Sequence, residues 1–131
     1  MKNTFLLPLI ICFSLSACVS RKDMAISYYH STDNYKHISS CFYRANQNKP
    51  VFGQGANLII ADLHNPPVIQ ISRVDQGVEF WEVDFSPNKT GTSIELRVAS
   101  LFGLQDRYRN NLIEKNIIIC GGSIISKATD E

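Results

Sequence analysis

The chain has 131 residues, 13 basic and 12 acidic side chains, and a formal net charge of +1 with histidine neutral. A length of this order supports one small core and excludes two comfortable domains. The balanced charge removes the electrostatic case for nucleic acid or an acidic polymer as partner.

Residues 1–17 have the composition of a secretion signal and stand outside any argument about the fold. Lys2 supplies the positive start, Phe5 to Phe13 an apolar run, and Leu15-Ser16-Ala17 small residues at a cleavage site. The run is shorter than the roughly twenty residues a spanning helix needs, and Pro8 interrupts it.

Leu15-Ser16-Ala17-Cys18, placed where the apolar run ends, resembles the lipobox of bacterial lipoproteins. The resemblance covers only about the first eighteen residues. It implies cleavage before Cys18, a diacylglycerol on its sulfur, and an anchor in the cell envelope. Two or three acyl chains, at about 0.8 kcal/mol per buried methylene, hold a protein durably on a membrane. Val19 stands where an aspartate tends to retain such proteins in the inner membrane, so the resemblance implies the periplasmic face of an outer membrane. Removal of Lys2 brings the formal charge of the remainder to about zero. Arg21 and Lys22, beside the expected lipid, read as part of a solvated linker.

Cysteine use agrees with export. Cys12 leaves with the signal and Cys18 is taken by lipid, leaving Cys41 and Cys120 in a compartment that permits disulfides. Their wide spacing, with no accompanying ligand pair, speaks against zinc. A bridge between them closes a long loop, worth roughly 4 kcal/mol in the chain-entropy treatment.

Residues 18–31 read as a lipidated start and tether, mixed and mostly polar, with Ile26, Tyr28 and Tyr29 able to pack back on the domain. Residues 32–131 read as a single α+β domain. A helix begins near Thr32 or Asp33, with Ile38, Cys41, Phe42 and Ala45 on one apolar face, and stops before Pro50. Four strands follow as an antiparallel meander: Asn57 to Asp62, Val68 to Arg73, Val78 to Phe85 and Thr92 to Ala99. The fourth alternates cleanly, with Ile94, Leu96 and Val98 on one face and Ser93, Glu95 and Arg97 on the wet one. A second helix fits Leu101 to Lys115, and the Ile117-Ile118-Ile119 run either extends it or forms a short edge strand. The expected architecture is therefore helix, four-stranded meander, helix, with both helices on one face of the sheet.

The residues offer little chemistry. Asp62 and His64 share a strand face, but His64 begins the turn His64-Asn65-Pro66-Pro67 and reads as a solvated turn histidine. His30 and His37 lack a third ligand at suitable spacing, so no metal site is expected. Gly53-Gln54-Gly55 precedes a strand instead of opening a helix and reads as a turn. Glu79, Glu82 and Asp84 read as solubilising residues, and Asn88-Lys89-Thr90 as an accidental match to a glycosylation sequon. Phe80 lies on the strand face opposite Trp81 and Phe85 and is the candidate binding-surface residue. The expectation is an envelope lipoprotein with a small nonenzymatic domain that binds an envelope protein, without cofactor, catalytic residue or nucleic acid. A small-ligand or lipid binder and a small hydrolase built on His64 and Asp62 are the rivals.

Overall fold

The computed structural model describes residues 24–47, 57–75, 78–99 and 107–127. It is an α+β arrangement of two helices and a six-stranded antiparallel sheet. In chain order the elements are β1 (Ala25–Ser31), α1 (Tyr35–Gln47), β2 (Asn57–His64), β3 (Pro67–Asp75), β4 (Val78–Asn88), β5 (Gly91–Val98), α2 (Arg107–Ile119) and β6 (Ser123–Ser126). The strand order is β2-β3-β4-β5-β1-β6. The expected four-stranded meander is β2 to β5, each strand paired antiparallel with the next.

Two strands extend the expected sheet. Ala25 to Ser31, expected as tether, pairs along its whole length with β5, from Ala25 opposite Val98 to Ser31 opposite Thr92, and on its other side with β6. Tyr29 is the reason this short, mostly polar segment is held. Its ring is buried in the core, and its hydroxyl donates to Glu114 Oε2 on α2 at 3.1 Å. Burial, and then the Glu114 carboxylate, hold its ionisation above the ordinary tyrosine range.

Asn34, rather than Thr32 or Asp33, caps α1: its Oδ1 accepts from Lys36 N at 2.9 Å, and its carbonyl accepts from His37 and Ile38. The helix then presents Ile38 and Phe42 to the sheet, where Phe42 packs edge-on against Trp81 at 5.8 Å and beside Phe85 at 5.5 Å. The register places Trp81, Val83 and Phe85 on the same face as Ile94, Leu96 and Val98, and these residues form one core cluster with Ile38, Phe42, Ile113 and Ile117. The Ile117-Ile118-Ile119 run belongs to α2. Leu101 and Leu104, expected in that helix, lie outside the described residues, as do the Gly53-Gln54-Gly55 turn, Cys18 and the signal segment.

Cys41 on α1 and Cys120, just past α2, are joined by a disulfide with their Cα atoms 5.8 Å apart. A second tie between the helices is polar and buried: Asn116 Nδ2 donates to Asn46 Oδ1 at 3.0 Å, and Asn46 Nδ2 donates to the Phe42 carbonyl at 2.7 Å. The β4–β5 hairpin turns at Lys89-Thr90, where Thr90 N donates to Asn88 Oδ1, so the sequon lookalike is a structural turn. Gly91 closes that turn at φ +140°, and a Cβ there would collide with the Ser31 carbonyl oxygen.

Candidate functional site

Edge strands with open backbone groups and exposed apolar side chains are rare unless something covers them. Among the described residues, the β2 edge has both features. Helix α1 lies over the Trp81 region and covers the helix-side face of β2 only in part. Ile60 is 47% exposed there, while Ile59 and Leu63 on the opposite face are exposed to a similar degree.

The gap between α1 and the outer strands is a groove enclosing about 200 Å³. Ile60, Ile69 and Ile71 form its apolar floor, Tyr43, Ser39 and Ser40 of α1 form a wall, and Lys36 and Asp62 supply opposite charges. The register explains the floor, because Ile60 pairs with Ile71 and Asp62 with Ile69, so all four point to the helix side. A pocket for a drug-sized ligand encloses about 300–1,000 Å³. This groove is smaller and lies along a strand, which suits apolar side chains of an extended segment.

The opposite face carries a charged network at its centre. Arg97 Nη1 donates to Glu82 Oε1 at 2.7 Å and to Asp84 Oδ2 at 2.8 Å, and Nη2 donates to Glu95 Oε1 at 2.6 Å. Gln70 Nε2 donates to the other Asp84 oxygen at 3.0 Å. Burial disfavours the Arg97 charge, but the hydrogen bond and charge of Asp84, then Glu95 and Glu82, outweigh it and hold the guanidinium above the ordinary arginine value. Glu82 is 1% exposed, so the expectation of a solubilising residue fails for it. The cross-strand pairing of Glu82 with Arg97 explains why a carboxylate is buried there. This arrangement fixes strand register, with the Arg97 guanidinium paired to three carboxylates on two strands. Among the described residues there is no group of three or more His, Cys, Asp or Glu side chains able to hold a metal ion.

The histidines are apart. His64 Nδ1 lies 3.8 Å from Asp62 Oδ1, beyond hydrogen-bond range, with both side chains largely in water. His37 Nδ1 pairs with Asp33 Oδ2 at 3.1 Å on the surface, and His30 Nε2 meets Thr90 Oγ1 at 3.0 Å. None is joined to another histidine or to a serine or cysteine nucleophile by these contacts.

Phe80 is placed differently from its sequence expectation. Arg73 pairs with Trp81 and Val74 with Glu79, so Phe80 is the extra residue of a bulge, and it packs half-buried against the core cluster. The exposed apolar residues are instead Ile59, Ile60 and Leu63 on β2 and a second set near β6. Their signal was present in the sequence as the consecutive apolar run of β2, which a strand covered on one side has no need of.

Comparison with protein families, curated proteins and solved structures found no match for this chain.

Proposed function

We propose that the protein is an envelope lipoprotein, cut before Cys18 and held by lipid on the periplasmic face of an outer membrane, whose domain binds another envelope protein without catalysing a reaction. Leu15-Ser16-Ala17-Cys18 supports the anchor, and the Cys41–Cys120 bridge is compatible with an oxidising compartment. With both helices taken to cover the Trp81 face, β2 is, among the described residues, one of the sheet's two edges.

The observation that carries the binding reading is the apolar β2 edge beside its groove. An extended partner segment adds to β2 through backbone hydrogen bonds, and alternate apolar side chains enter the groove over Ile60, Ile69 and Ile71. Lys36 and Asp62 at the groove select polar groups on that segment.

The test places a photo-crosslinking residue at Ile59, Ile60 or Leu63 in the lipidated protein and illuminates intact envelopes. A discrete protein adduct is expected, reduced at least tenfold when Ile60→Lys is combined with a crosslinker at Leu63. Adducts of lipid or a small molecule alone overturn the protein-binding reading. Catalysis that His64→Ala abolishes overturns the nonenzymatic one. A Cys18→Ser protein that still labels with a palmitate analogue overturns the lipid anchor.

A further inference from the structure

Of the two sheet edges among the described residues, β6 is blunted and β2 is not. Strand β6 has four residues, and its pairing with β1 shifts register between Tyr28 and Tyr29. Strand β2 pairs with β3 in unbroken register, from Asn57 opposite Val74 to His64 opposite Pro67, and holds neither proline nor glycine, with Asp62 as its one carboxylate. On the face away from the helices its side chains run large, small, large: Ile59, Ala61 and Leu63, with Ile59 and Leu63 each about half exposed.

We infer that β2 pairs antiparallel with β2 of a second copy of this chain, about a two-fold axis at Ala61. The inference rests on the reading of β2 as a strand-pairing edge and adds a regulation to it. A second copy and a partner segment compete for the same backbone groups, so the edge is covered until a partner displaces the copy.

The strand's own sequence selects that axis. A two-fold normal to the sheet keeps the helices of both copies on one side, so each residue of β2 opposes a residue of the same face and the axis passes through a residue. Axes nearer either end pair fewer residues, and one at Asp62 also sets two carboxylates against each other. An axis at Ile60 sets Leu63 against Asn57 and Asp62 against Leu58. The axis at Ala61 sets Ile59 of each copy against Leu63 of the other, on either side of an alanine pair. On the helix side it sets Asp62 of each copy against Ile60 of the other, beside the groove whose floor includes Ile60 and whose cation is Lys36. Within one copy Lys36 is exposed and forms no ion pair among the described residues, while Asp62 approaches His64 at 3.8 Å. Pairing thus brings an acid of each copy to a base of the other, twice over. One strand pair is a small interface, so the dimer forms with rising concentration and yields to a tighter partner.

Sedimentation equilibrium of the mature chain carrying Cys18→Ser reads the pairing free of lipid. The average mass is expected to rise from one chain to two with concentration, and Ile59→Lys to weaken association at least about tenfold. Asp62→Lys and Lys36→Asp each weaken it as well, and the two together restore it, which a general loss of fold cannot do. Oxidation reads the axis. Ala61→Cys links two copies through the new thiols; Ile59→Cys alone does not, whereas a mixture of Ile59→Cys and Leu63→Cys proteins does. A monomer at all concentrations, no rescue by the charge exchange, or linkage by Ile59→Cys alone overturns the inference. Photo-crosslinking at Leu63 in intact envelopes separates the two readings. A monomer that gives an adduct with a different protein removes the self-pairing alone. A dimer whose adducts have only twice the chain mass supports the self-pairing and removes the other partner, and a monomer without adducts removes both.

Discussion

Replacing Cys41 and Cys120 together by alanine tests how much the domain depends on its covalent tie. The bridge spans a sequence separation of 79 residues. In the chain-entropy treatment, a loop of that length removes about 4.5 kcal/mol of freedom from the unfolded chain. Cys120 is buried and Cys41 half-buried against the core, so the lost sulfurs add a smaller packing deficit of the same sign. At about 4 °C per kcal/mol for a domain of about 100 residues, Tm falls by about 15–20 °C. The assay is equilibrium urea unfolding followed by Trp81 fluorescence, with Cys18→Ser in both proteins so that no spare thiol exchanges. The slope of free energy against urea should also rise, because the unlinked unfolded chain exposes more surface. A loss below about 1 kcal/mol with an unchanged slope refutes the reasoning and assigns the linkage of α1 to α2 to the Asn46–Asn116 contact and apolar packing.

Arg97→Met leaves Glu82, Asp84 and Glu95 facing one another and costs about 3 kcal/mol in urea unfolding, while Arg97→Lys, unable to serve three carboxylates in one plane, recovers only part of it; equal stability of all three proteins contradicts a structural role for the network. Phe80→Ala lowers stability by about 2 kcal/mol, since half of a phenylalanine's packing against the core is lost. An unchanged Tm together with weakened partner capture would return Phe80 to the binding surface.

Local pattern made the strands of the β2–β5 meander and helix α1 legible. Ile94, Leu96 and Val98 alternate because β5 has a covered face, and the i, i+3, i+4 spacing of Ile38, Cys41 and Phe42 marks the inner face of α1. The cysteine pair emerged by subtraction of Cys12 and Cys18. Strand β1 was hidden because Tyr29 and Ser31 are its only buried residues, too few to set a period against Ser27, Tyr28 and His30. Strand β6 was hidden because its four residues are all exposed and its extended form depends on β1 being beside it. Burial of Glu82 and the bulge at Phe80 depend on residues of neighbouring strands, Arg97 and Arg73-Val74, so no window along one strand contains them. For the same reason the groove was not legible: it needs Tyr43 of α1 and Ile60 of β2 brought together by the fold.

The position of β1 between β5 and β6 sets an order of assembly. Strands β2 to β5 can zip by successive hairpins, each closing a short loop, whereas Ala25 must wait for Val98 and Tyr29 for Ile124. A chain emerging N-terminus first therefore leaves its first strand without a partner until β5 arrives, and Tyr29 without Ile124 until β6 does. During that interval the first strand is the segment still without a fold, and its seating between β5 and β6 is the late event that completes the sheet.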